Sequence, residues 1–155
     1  MKIENDFYTI NNLKDSDNSM VRRFGLVLEK RYKSLDHLGI VASAPKNEVV
    51  GIEEVYVLFD NGIEAAIKSN ERDEYKPGQL PRFDVEYLFI PYNKIDSIKE
   101  KYIEVGNTSS PDVLEIYCGS NELKILKGKM NGVYSSEENG KDLEEFIKVL
   151  KAKLT

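Results

Sequence analysis

The segment from Val55 to Ile67 restricts the fold of this chain more than any other part of the sequence. Residues 55–59, Val-Tyr-Val-Leu-Phe, are β-branched or aromatic apart from one leucine, which is typical of a β-strand. After Asp60-Asn61-Gly62, apolar residues recur at every second position through Ile67. Asn-Gly tolerates the positive φ angles of a type I′ turn, so the segment predicts a β-hairpin.

Four more strands are predicted downstream, which makes six in all. Residues 83–89 place Phe83, Val85, Tyr87 and Phe89 at alternate positions, and Pro91 is expected to end that strand. The other three predicted strands are Ser97 to Val105, Val113 to Cys118, and Leu123 to Leu126. The last two flank Gly119-Ser120-Asn121 and predict a second hairpin.

A helical pattern precedes the first hairpin. Apolar residues recur there every three or four positions, at Val21, Phe24, Leu28, Tyr32 and Leu35. The polar cluster from Asp15 to Ser19 is suited to cap or turn the chain before it, and Gly39 is a suitable stop. Gly25 disfavours the helix, and the alternation Phe24, Leu26, Leu28 also permits a strand. The run from Phe7 to Ile10 predicts a short strand or a docking arm.

The C-terminal segment predicts a second helix. Its apolar stripe consists of Leu143, Phe146, Ile147, Leu150 and Leu154. Asn139 is suited to cap its start. Acidic residues come early and lysines late, an order that complements the helix dipole.

Strands in sequence followed by a terminal helix predict an α+β fold, in which an antiparallel sheet is segregated from its helices. A length of 155 residues fits one domain, residues 1–155.

The stretch Ile90-Pro91-Tyr92-x-x-Ile95-x-x-Ile98 resembles a phrase found between two strands of bacterial pleckstrin-homology-like (PH-like) and GRAM-like domains. The hairpin at Leu114 to Gly119 and the helix at Asp142 to Leu150 are also similar to the family pattern. The resemblance covers about residues 50–154. It implies a curled antiparallel barrel or sandwich of seven strands, closed by the C-terminal helix, over residues 49–155. Residues 1–48 are then an N-terminal extension that carries the additional helix.

The resemblance also implies a docking platform for a ligand, a lipid or a protein, although a fold alone does not determine function. Members that bind phosphoinositides carry basic residues near their first hairpin. Here the corresponding residues, Phe59 to Glu64, are acidic. Phosphoinositide binding is therefore not expected.

Candidate catalytic groups are few. The chain has one histidine, His37, and one cysteine, Cys118, so a zinc site is excluded and an internal disulfide cannot form. Cys118 lies in an apolar strand pattern and is expected in the core, and His37 is expected to cap or pack. Asp15-x-Asp17-x-Ser19 begins like a calcium loop, but Met20 stands where that loop needs glycine. We expect no metal, no cofactor and no catalysis.

Charge narrows the range of partners. With a net charge of −5, the chain is not expected to bind nucleic acid or an anionic membrane in general. The one basic cluster comprises Arg22, Arg23, Lys30, Arg31 and Lys33. A second candidate surface is the predicted loop 70–82, with Arg72, Tyr75, Lys76 and Arg82. Both can equally be ordinary solvated segments.

The sequence therefore predicts a non-catalytic interaction module that docks a protein partner, possible forms being an inhibitor or an immunity-type protein. A small-molecule or lipid-binding domain that uses the mouth of the sheet is the alternative, and a carboxylate-dependent enzyme is the least favoured. No apolar run is long enough for a membrane span, and the polar N-terminus is unlike a signal peptide. These features predict a cytoplasmic protein, and the Lys, Asn and Ile content is typical of an AT-rich bacterial or phage genome.

Overall fold

Three α-helices and seven β-strands make up the described parts of the computed structural model, residues 7–15, 19–43, 54–72, 82–101, 113–119, 121–126 and 136–155. The helices are α1 (Phe7–Lys14), α2 (Ser19–Tyr32) and α3 (Ser136–Leu154). The strands are β1 (Gly39–Ser43), β2 (Glu54–Leu58), β3 (Gly62–Arg72), β4 (Arg82–Pro91), β5 (Ser97–Lys101), β6 (Val113–Cys118) and β7 (Asn121–Leu126). A 3-10 turn, Tyr92–Lys94, separates β4 from β5.

The strands form two antiparallel sheets, and neither closes on itself. Sheet A has the order β1-β2-β3-β4, and sheet B has the order β5-β6-β7. The α+β prediction is confirmed. β4 ends at Pro91 as predicted, because proline cannot donate to the ladder. Residues 102–105 of the predicted fifth strand lie outside the described residues.

Sheet A is buried on both faces, because a separate apolar core lies on each side of it. The inter-sheet core joins one face of sheet A to sheet B and α3, and includes Tyr56, Leu58, Ile63, Leu114, Ile116, Leu143, Phe146 and Leu150. The helical core joins the opposite face of sheet A to α1 and α2, and includes Ile10, Leu13, Phe24, Leu28, Tyr32, Val55 and Val57. The N-terminal helices therefore pack on the sheet.

The helix α1 corrects the prediction of a strand or docking arm at residues 7–10. Ile10 and Leu13 are fully buried against α2, at the three-residue spacing of one helix face. A Cβ added to Gly25 would lie 2.8 Å from the Lys14 nitrogen and 2.9 Å from the Leu13 Cβ. Gly25 therefore permits the close crossing of α1 and α2, which explains a glycine inside a helix.

The hairpin at Asn61-Gly62 is present, but the predicted type I′ turn is wrong. Gly62 does not have a positive φ, and it is the first residue of β3. A Cβ at this position would lie 2.5 Å from the Ile90 carbonyl oxygen and 2.6 Å from the Phe89 ring. Glycine is needed here because β4 passes close to the β3 backbone.

The strand β1 was absent from the prediction, in which Gly39 only ended a helix. Ile40 and Ala42 face the helical core, whereas Val41 faces the inter-sheet core. Leu35 was placed on the buried helical stripe, but α2 ends at Tyr32 and Leu35 is 43% exposed. The C-terminal helix begins at Ser136, ahead of its predicted cap Asn139.

Candidate interaction surface

The outward side of α2 combines apolar and basic side chains. Leu26 is 49% exposed and Val27 is 37% exposed, although both are apolar. Basic residues surround them at helical spacings of three and four, namely Arg22, Arg23, Lys30 and Lys33. We call these six residues the α2 surface. The prediction that the basic cluster lies off the buried stripe is confirmed for its four members here.

The only acidic residue of α2 does not cancel this charge at the surface. Glu29 accepts a hydrogen bond from the Lys14 ammonium of α1, and the bond to Lys14 is the main reason that the pKa of Glu29 lies below its usual value. Lys14 therefore offsets the charge of Glu29 from the neighbouring helix. The α2 surface keeps a local excess of positive charge.

Arg31, the fifth basic residue of the cluster, has a different position. Its Nε donates to Glu64 Oε1 at 2.8 Å, and its Nη2 donates to Oε2 at 3.1 Å. The guanidinium also lies 3.6 Å from the centre of the Tyr87 ring, which is a cation–π distance. Arg31 therefore ties α2 to strands β3 and β4 of sheet A.

Glu64 is the centre of this junction between α2 and sheet A. It is 8% exposed and also accepts a hydrogen bond from the Tyr32 hydroxyl at 2.8 Å. Burial by itself raises the pKa of Glu64, but the hydrogen bonds from Arg31 and Tyr32 outweigh it and hold this pKa below 4.5. Burial, reinforced by the Glu64 carboxylate, raises the pKa of Tyr32. The junction holds one charged carboxylate with three donor groups.

The structure brings one end of the α2 surface close to the ends of β3 and β4. The Arg23 guanidinium lies 5.7 Å from the Phe83 ring centre, and the Phe24 and Phe83 rings meet edge to face at 6.1 Å. Phe83 follows Arg82, an exposed residue whose register partner in β3 is Arg72. The two candidate regions therefore adjoin at this end. Tyr75 and Lys76, the other two candidates, lie outside the described residues.

A groove lies at the opposite end of β4, beside the turn between β6 and β7. It has a volume of about 300 Å³ and is lined by Leu88, Phe89, Ile90, Pro91, Lys94, Cys118 and Gly119. Gly119 has a φ of 62°, and its N–H donates to Asp96 Oδ2 at 2.7 Å. Asp96 thereby fixes the rim of the groove.

The single cysteine and histidine are both buried. Cys118 belongs to the inter-sheet core, as predicted, and burial raises the pKa of its thiol. That direction favours the neutral thiol over the nucleophilic thiolate. His37 is 1% exposed in the segment between α2 and β1. Among the described residues, no group of three or more His, Cys, Asp or Glu side chains is placed to hold a metal ion.

Two residues of the α2 surface, Leu26 and Val27, were not among the predicted site residues. The sequence did carry a signal for them, because both fall on the side of the helix opposite Phe24 and Leu28. No helix in the described part of the chain has the length and apolar character needed to cross a bilayer. Comparison with protein-family models, curated proteins and solved structures gives no match.

Proposed function

We propose that this chain is a non-catalytic interaction module that docks an acidic protein partner on the α2 surface. The observation that carries the proposal is the exposed pair Leu26 and Val27 inside a basic ring. Interfaces commonly have an apolar centre with a polar rim, and arginine is enriched in them. An inhibitor or immunity-type protein is one form that such a module takes.

Charge separation supports an acidic partner. Helix α2 has four basic residues and one acidic residue, in a chain whose net charge is −5. A positive patch on a negative protein attracts an acidic surface and repels partners that approach from other directions. Nucleic acid fits less well, because its backbone would meet two apolar side chains at the centre of the patch and an acidic protein around it.

A rigid mounting also supports a docking role. The Arg31–Glu64 ion pair and the crossing at Gly25 hold α2 against sheet A and α1. A helix that is held in place loses little further conformational entropy when a partner binds its exposed side. We propose that the arrangement as a whole is PH-like. Four strands, then three strands, then a closing helix agree with what the sequence resemblance implies.

The alternative of a small-molecule or lipid site draws on the groove beside β4. Its volume of about 300 Å³ is at the lower limit of ligand pockets, which span about 300–1,000 Å³. The inter-sheet core, by contrast, is filled with fully buried side chains such as Leu114, Ile116 and Leu143. We therefore favour the protein-docking function.

The proposal can be tested by affinity enrichment from nuclease-treated lysate of the source organism. The full chain is the bait, beside the variants Leu26→Glu and Lys30→Glu. Leu88→Glu is the matched control, because Leu88 is also an exposed leucine but lies on β4. We expect a protein that the wild type and the control retain and that both α2 variants lose. Equal retention by all four baits, or no protein above background, contradicts the proposal.

A further inference from the structure

The strand β4 has an open edge. Within the described residues it pairs with β3 alone, so its other side carries no described strand. The Tyr92 N–H donates to the Asn61 carbonyl at 3.2 Å, and the same register pairs Ile90 with Ile63 and Leu88 with Ala65. Since antiparallel hydrogen bonding alternates, the N–H and C=O groups of the intervening residues, Phe89 and Tyr87, point to the open edge.

The two halves of this edge differ in character. The first half has the exposed charged residues Arg82, Asp84 and Glu86. The second half is apolar, and Leu88 and Phe89 are each 40% exposed beside the groove. Charged residues commonly protect an edge strand from pairing. The apolar half has no such protection on the strand itself, and the nearest charge is Lys94 in the 3-10 turn.

We infer that the apolar half of β4 pairs with β4 of a second copy of this chain, antiparallel, about a two-fold axis at Phe89. This register places Leu88 opposite Ile90 of the second copy. It also brings Lys94 to the position of Asp84 of the second copy, so two opposite-charge pairs flank an apolar centre. The pairing is isologous, because the same patch is used on both copies.

Neighbouring registers fit the charges less well. An axis at Glu86 places that residue opposite its own copy, and like charges directly opposite each other are destabilising. An axis at Tyr87 places Glu86 opposite Leu88, and Asp84 opposite Ile90. Of these three registers, only the axis at Phe89 keeps the carboxylates away from the apolar centre. Two four-stranded sheets then join into one continuous sheet across the axis.

The test is the concentration dependence of molecular mass, measured by sedimentation equilibrium on the purified full chain. For the wild type, we expect the mean mass to rise from 17.7 kDa toward twice that value with concentration. Leu88→Lys is expected to stay monomeric. The matched control Leu26→Lys, which changes an exposed leucine on α2, is expected to associate like the wild type.

A charge exchange tests the register. Lys94→Glu is expected to weaken association, and adding Asp84→Lys to the same chain is expected to restore it. Hydrogen exchange at the amides of Tyr87 and Phe89 is expected to slow with concentration in the wild type. A wild type that is monomeric at every concentration overturns the inference. So does association that Leu26→Lys abolishes and Leu88→Lys leaves intact, because the contact would then lie on the α2 surface.

Discussion

Replacing Gly25 with alanine tests how the helical layer is assembled, because two physical effects predict opposite signs. Alanine favours an isolated helix by about 1 kcal/mol relative to glycine. In the folded chain, however, the new methyl group would lie 2.8 Å from the Lys14 nitrogen, 2.9 Å from the Leu13 Cβ and 3.0 Å from the Leu13 carbonyl carbon. Two of these atoms belong to the backbone, so they cannot move away by rotating a side chain.

The size of the effect follows from the contact distances. Overpacking a well-packed site costs about 1–3 kcal/mol, and here α1 as a whole has to shift. After the gain in helix propensity, we expect Gly25→Ala to lower the free energy of unfolding by about 1–2 kcal/mol. For a chain of this length, each kcal/mol lowers the melting temperature by about 2–4 °C.

The assay is urea unfolding followed by circular dichroism, with the slope of the transition compared between variants. Gly39→Ala is the matched control, because the nearest atom to its added Cβ is Leu58 Cδ1 at 3.9 Å. We expect the control to unfold within about 0.5 kcal/mol of the wild type. If Gly25→Ala is as stable as the wild type or more so, helix propensity dominates and the proposed crossing of α1 and α2 is wrong.

Two further predictions concern the junction and the groove. Arg31→Met leaves the Glu64 carboxylate buried without its guanidinium, and we expect a loss of about 1–3 kcal/mol at pH 7 in chemical unfolding. Because the folded pKa of Glu64 lies below 4.5, the stability it contributes is present above that pH and is lost as pH falls through the folded pKa, so the wild type and Arg31→Met should converge in acid; a constant difference would contradict this linkage. Gly119→Ala should cost about 1 kcal/mol because φ is 62°, even though no atom lies within 4 Å of the added Cβ, and Gly119→Asn should cost less. Equal stability of these two Gly119 variants would show that the backbone angle is not the cause.

Where one face of an element is buried, its period in the sequence predicted it well. The stripe at Val21, Phe24, Leu28 and Tyr32 predicted α2, since one side of that helix packs on sheet A. Alternation at Phe83, Val85 and Tyr87 likewise predicted β4, whose three residues here are half-buried on one side.

Burial on both faces explains the strand that the sequence did not predict. The residues of β1, Ile40 to Ala42, are apolar without alternation, because the helical core lies on one side and the inter-sheet core on the other. Such a short run cannot be distinguished from other buried segments by its period. Residues 7–10 resemble a strand in composition, yet packing of Ile10 against α2 makes them helical.

The junction shows what sequence reasoning could not supply. Glu64 alternates with apolar neighbours, which places it on the outer face of the hairpin, and outer faces are usually solvated. Helix α2 covers that face, so Glu64 is buried and Arg31 turns inward to meet it. Pairing between residues 33 positions apart depends on tertiary packing, and nothing in the local pattern indicates it.

The most direct test of the docking function is the affinity of the enriched protein, purified, for this chain and its variants. By isothermal titration calorimetry, we expect Leu26→Glu to weaken binding at least about tenfold, which corresponds to about 1.4 kcal/mol. Raising the salt concentration should weaken binding of the wild type, because the attraction is partly electrostatic. Leu88→Glu should bind like the wild type. Binding that survives Leu26→Glu unchanged, or that is lost with Leu88→Glu, contradicts docking on the α2 surface.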